Sequence, residues 1–263
     1  MGVQASRSPG AAPADRYPTM RTAENEEVAL VTGASRGIGR AVAIELARRG
    51  YRLCLAARSR EQLEQTRQLT ELAPADSLIV LLDLAEEDSP QALIETALDH
   101  FGRLDVLINN AGWAPPRSAL IKTSSADQDR MIAVNLRAPI ALSRLAASRM
   151  VEQGTGTIVN VASTAGLATP AGEAIYAATK AGLIAFTRSC FAELREHRIR
   201  VSVIIPGLVD TDLIPANKRL DRKLMLSPSQ VATAIAQIID AVPGTCPLEM
   251  VLEPQHAPER SRG

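Results

Sequence analysis

Short, fully apolar runs alternate with segments of helical period along most of this chain. Val28 to Val31 is the first run; a glycine-containing turn follows, and then Ile38, Val42 and Leu46 recur at helical spacing up to Gly50, a natural C-cap. Arg52 to Ala56 reads as a second buried strand, Glu61 to Leu72 as an exposed amphipathic helix, and SLIVLLDL as a third strand ending at Asp83. A helix over Pro90 to His100 is closed by Gly102, and a fourth strand over Val106 to Ile108 runs into Asn109 and Asn110. Asp127 to Met150 carries a long helical pattern that Pro139 bends or breaks. GTIVNVAST is a fifth strand ending at Ser163; a helix from Ala174 to His197 precedes RVSVIIPG, the sixth. Ser227 as N-cap and Pro228 at the first helical position start a helix, and EMVLE is the last strand.

Strands that are apolar throughout are buried on both faces. Their regular alternation with helices predicts an α/β fold: a single doubly wound parallel sheet of about seven strands, flanked by helices on both faces. The domain is expected over residues 25–254, with 1–24 as a disordered extension rich in Ala, Pro, Ser and Arg and 255–263 as a tail. Open sheets of this kind bind ligands beyond the C-terminal ends of their strands. The glycine turn, Asn110, Ser163 and Gly207 all fall at such ends.

Composition narrows the chemistry. At 263 residues with 46% apolar and 3% aromatic content, one large domain with an aliphatic core is expected. Lys plus Arg equals Asp plus Glu, at 29 each, so nothing in the overall charge points to nucleic acid or a charged membrane. No apolar run reaches membrane-spanning length. Cys54, Cys190 and Cys246 lie at wide spacings without a metal pattern, which suggests reduced thiols and a cytoplasmic setting. His100, His197 and His256 are equally scattered, so no metal site and no histidine-based triad is expected. At the N-terminus, MGVQAS fits a myristoylation pattern, the early lack of acids resembles a transit peptide, and Met20 is a second possible start.

Strand, glycine turn and helix in succession are the context in which a turn cradles a dinucleotide pyrophosphate: Gly33, Gly37 and Gly39 let the backbone approach, and the helix N-terminus offers amides and a positive dipole end. The second strand would place an acid on the adenosine ribose, but Ala57 stands there, followed by Arg58. With Arg36, that arginine can bind a 2'-phosphate, favouring NADP(H) over NAD. Tyr176 and Lys180, at i and i+4, share a helix face. An ammonium about 4 Å from a phenol is worth roughly 4 kcal/mol, or about three pKa units as an upper bound, enough to bring a tyrosine towards neutrality as an acid.

TGASRGIG, NNAG, Asn135, Ser163, YAATK and PGLVDT occur together and in order, and over about residues 27 to 253 the chain resembles the short-chain dehydrogenase/reductase family of the classical type. The resemblance implies a Rossmann-type fold and an NADP-dependent oxidoreductase. Ser163 would polarise a carbonyl, Tyr176 deliver its proton, Lys180 hold the nicotinamide ribose and lower the Tyr176 pKa, and Asn135 support a proton-relay water. The turn residues Gly33, Ser35, Arg36, Gly37, Ile38 and Gly39 would contact the cofactor with Arg58; Asp83 would face adenine, Asn110 the ribose, and Val209 with Thr211 the carboxamide. The arrangement looks most like 3-oxoacyl carrier-protein reductases, which implies a small to medium, mostly apolar carbonyl or acyl-thioester substrate. A homodimer through the long helices bearing Asn135 and Tyr176, or a homotetramer, is implied too, although this chain reads MVLEPQHAP where that subfamily carries a V-D-G-G turn. The basic loop with Lys218, Arg219, Arg222 and Lys223 is a surface for an acidic carrier or simply solvated. Oxidation of a secondary alcohol such as a sugar, polyol or steroid, and a non-catalytic cofactor sensor, are the other readings.

Overall fold

The computed structural model describes residues 26–214, 217 and 220–258. The N-terminal extension, with its myristoylation, transit-peptide and Met20 readings, lies outside the described residues, as do Lys218 and Arg219.

Seven parallel strands form one sheet: β1 (Val28–Thr32), β2 (Arg52–Ala57), β3 (Ser77–Leu81), β4 (Val106–Asn109), β5 (Gly156–Val161), β6 (Ile199–Pro206) and β7 (Glu249–Leu252). Their order is β3-β2-β1-β4-β5-β6-β7, so the chain winds outwards from β1 to one edge and then from β4 to the other. The switch point between β1 and β4 opens a crevice at the strand C-termini.

Alternate strand residues feed two cores. Val31, Leu55, Ile108 and Val161 pack beneath α1 (Gly37–Arg48) and, late in the chain, the helix Pro228–Ile239. Leu30, Cys54, Leu107 and Ile158 face α3 (Ser89–Phe101) and the helix Ala138–Gln153 on the other side. Between α1 and α3 lies α2 (Arg60–Thr70). Its Ser59 cap and the capping box of Ser227 with Gln230 satisfy free helix-end amides.

Three boundaries differ from the sequence expectation. The pattern over Asp127 to Met150 resolves into α4 (Ser125–Ile132), a π turn at Ala133–Arg137 and α5 (Ala138–Gln153). Pro139 has no N–H to continue the α-helical ladder, and the wider turn before it absorbs the break. β3 and β5 stop at Leu81 and Val161, so Asp83 and Ser163 lie on the turns that leave them. A short helix, α6 (Ala165–Ala168), follows Ser163, and the next, α7, ends at Leu194 with a 3-10 turn over Arg195–His197. The last helix, α8, is Pro228–Ile239.

No described helix is long and apolar enough to cross a membrane, and no group of metal ligands occurs among the described residues.

Candidate active site

One cleft of about 1540 Å³ runs along the C-terminal edge of the sheet, from Arg58 and Asp83 past Ser163 and Tyr176 to Glu253. That exceeds the roughly 300–1,000 Å³ of a single small-molecule site, so it has room for a dinucleotide and a second reactant.

The glycine turn fits a pyrophosphate. Gly33 has φ +65°, and a Cβ on Gly39 would lie 2.2 Å from the Gly33 carbonyl oxygen, so any side chain would destroy the cradle. The turn is braced from two sides. Asn110 donates its side-chain amide to the carbonyls of Thr32 at 2.9 Å and Gly33 at 3.3 Å. Behind the turn, Thr66 donates to the Ala34 carbonyl at 2.9 Å and Arg40 to the Ser35 carbonyl at 2.5 Å.

At one end of the cleft, Arg58 lies 3.9 Å from Asp83, whose other side-chain partner is Arg130 at 2.7 Å. Burial pushes the Asp83 carboxyl up, but the Ala85 amide and the two arginines outweigh it and hold the carboxyl below its ordinary range. Arg36 points elsewhere. It donates to Asp212 at 2.8 Å, joining the glycine turn to the loop after β6, where Thr211 sits against Gly37.

α7 (Ala174–Leu194) carries Tyr176 and Lys180. Ser163 faces the Tyr176 phenol, close enough to lower its pKa, and its Oγ accepts the Ala165 amide at 3.2 Å. The Lys180 Nζ lies 5.8 Å from the Tyr176 ring centroid and donates to the Val161 carbonyl at 2.9 Å. The expected lowering of the phenol by Lys180 is not found in the protein alone. Burial pushes Tyr176 up to about 12, against the lowering effect of Ser163 and together with the charge of Glu173. Burial likewise brings Lys180 down to about 8. Both groups therefore lean towards their neutral forms.

Asn135 lies within the π turn, wholly buried. Its Oδ1 accepts the Trp113 amide and its Nδ2 donates to the Trp113 carbonyl, both at 2.8 Å, so it pins the loop after β4 across from Lys180. Gly112 holds that loop close to both: a Cβ there would stand 3.6 Å from Asn135 Oδ1 and 3.8 Å from Lys180 Nζ.

The residues from 27 to 221 match the family described as short chain dehydrogenase. This chain belongs to that family of oxidoreductases. It is 36% identical over 189 residues to the 3-oxoacyl-[acyl-carrier-protein] reductase FabG of Staphylococcus aureus, spanning 72% of this chain and 76% of the relative. The 3-oxoacyl-[acyl-carrier-protein] reductase of Bos taurus is 36% identical over 200 residues, 76% of this chain and 81% of that one. A metagenomic short-chain oxidoreductase solved in complex with NADP superposes with a TM-score of 0.77 at 33% identity, covering 89% of this chain and 100% of that one.

Several members of this short-chain dehydrogenase site escape a reading of the sequence. Thr32 accepts the amides of Asn110 and Ala111 at 3.0 Å each, locking β1 to the turn after β4. Gly166 lets α6 touch α7: a Cβ there would lie 2.8 Å from the Ala181 nitrogen. Beneath the site a buried ladder runs from Asn109 to Ser143 and Asn160, and from Asn160 to Thr187, fastening α5 and α7 to the sheet. Arg222, on the basic loop expected to be solvated or to meet an acidic carrier, is exposed and pairs within its own loop, with Asp210 and the carbonyls of Thr211 and Ile214.

Proposed function

We propose that this protein reduces a ketone or 3-oxoacyl group to a secondary alcohol with NADPH. The observation that carries the reading is that Ser163, Tyr176 and Lys180 line one cleft with the glycine cradle. When bound, the reduced nicotinamide supplies the hydride. Gly33, Ser35, Gly37, Ile38 and Gly39 would hold its pyrophosphate, Arg58 its 2'-phosphate, Asp83 and Asn110 border its adenosine, and Val209 and Thr211 border its carboxamide. The NADP complex of the similar oxidoreductase and the names of the 3-oxoacyl reductases support this choice.

The protein's own work is to stabilise developing charge on the substrate oxygen. Ser163 and Tyr176 donate to it, and Tyr176 gives up its proton as the alcohol forms. Burial raises the phenol's pKa, so its proton is in place for reduction to consume. Lys180, fixed by Val161, stands one helical turn from that phenol and beside the loop pinned by Asn135, where the nicotinamide ribose and a relay water would sit. The reading includes a cytoplasmic enzyme that pairs with a second copy through the long helices around Asn135 and Tyr176, or assembles as a tetramer.

The test is a panel of ketones, 3-oxoacyl thioesters, sugars and polyols assayed with NADPH and, in reverse, with NADP. Turnover of ketones or thioesters with NADPH is expected. Turnover confined to sugar or polyol oxidation, or NADPH binding without turnover of any panel member, would overturn the reading.

A further inference from the structure

The far end of the cleft is built by the C-terminal segment. After β7, Gly207 still donates its amide to the Leu252 carbonyl at 2.8 Å, and then Glu253 and Pro254 turn back over the sheet edge. Asp221 donates its amide to the Pro258 carbonyl at 2.8 Å, and Pro258 is buried. Residues 253–258, two of them prolines with restricted backbones, thus strap the loop after β6. Of residues 255–258, expected as tail, Ala257 and Pro258 belong to this wall of the cleft.

Glu253 lies flat against Gly207: a Cβ on that glycine would be 2.0 Å from the Glu253 Oε2. One residue earlier, the Pro206 carbonyl accepts the amide of Thr164, the neighbour of Ser163, at 3.0 Å. The carboxylate thus lies against Gly207, whose chain neighbour Pro206 is hydrogen-bonded to the turn that carries Ser163. The other acids along this side are neutralised: Glu173 by Arg117, Asp210 by Arg222 and Asp212 by Arg36. Among the described residues no cation pairs with Glu253, and it lines the cleft.

We propose that Glu253 is a specificity-determining residue that admits carbonyl substrates uncharged near the reacting carbon and turns away those with an anion there. The inference rests on the reductase reading above. A 3-oxo ester or thioester and the corresponding free 3-oxo acid offer the same ketone; only the acid sets a carboxylate two bonds from it. Like charges a few ångströms apart at a partly solvated site repel, and salt weakens the effect.

The experiment compares kcat/KM for a 3-oxo ester and its free acid, with NADPH, in the wild type and Glu253→Gln. The Kd for NADPH, from cofactor fluorescence, is measured in parallel. The wild type should favour the ester, and Glu253→Gln should raise the acid's kcat/KM about three- to tenfold while ester turnover and the NADPH Kd stay unchanged. Independently of any variant, raising salt to about 0.5 M should narrow the wild-type preference. Ester turnover with an ester-to-acid ratio that responds neither to the substitution nor to salt overturns the role of Glu253 alone. Failure of the wild type to reduce either substrate while binding NADPH overturns the reductase reading and this inference together.

Discussion

Lys180 donates to the Val161 carbonyl oxygen at 2.9 Å, which ties its side chain to the strand instead of to the phenol one helical turn away. The lysine is 4% exposed, and burial brings it from 10.5 to about 8. The folded protein therefore sheds this proton more readily than the unfolded chain, and stability rises with pH between about 8 and 10.5. It is lost again as pH falls through 8. Wild type minus Lys180→Met, measured by denaturant unfolding, should gain up to about 3 kcal/mol from pH 7 towards pH 10. The missing bond to Val161 adds only a pH-independent offset. A flat difference across that range would contradict the assigned shift.

Tyr176→Phe removes the proposed proton donor and keeps the ring. We expect kcat to fall about 10²- to 10⁴-fold while NADPH binding changes little. Unchanged kcat would remove Tyr176 from the acid role.

Arg58 stands beside Ala57 where an acid would otherwise exclude a 2'-phosphate. Arg58→Ala should lower kcat/KM for NADPH by roughly tenfold or more, the value of a charge-assisted hydrogen bond, and leave NADH nearly unaffected. Equal losses with both cofactors would mean that Arg58 acts through the fold.

The Arg36–Asp212 pair spans the cofactor cleft with both side chains more than half exposed. An exposed pair is worth at most about 1 kcal/mol, so Asp212→Asn should speed NADPH release by no more than about fivefold in stopped-flow displacement. High salt should bring the wild type to the same rate. A variant that releases NADPH at the wild-type rate in low salt would show that the pair does not hold the cleft.

Gly166→Ala would force a methyl into the backbone of α7 next to Lys180. Overpacking of this kind costs about 1–3 kcal/mol, visible as a lower Tm, and should reduce kcat by displacing the helix that bears Tyr176.

What was legible in the sequence follows from burial. β1, β4 and β5 are buried at every position, so their apolar runs could be read directly. Tyr176, Lys180 and the glycines were visible because helical spacing and turn geometry are local. The π turn was hidden because it shares nearly the same period as the helices around it, and Pro139 signals a break without its register. Thr66 and Thr32 brace a backbone carbonyl and an amide far away in the chain, and Arg40 reaches Thr66; no local pattern marks such partners. The strap was unreadable for a related reason: Pro258 meets Asp221 only after β7 has been laid on the sheet edge.

The buried ladder from Asn109 through Asn160 to Thr187 holds α5 and α7 from within the sheet. The position of α7, and with it of Tyr176 and Lys180, is thus set by interior joinery. Residues 114–119 can then change in sequence while α5 and α7 keep their places on the sheet.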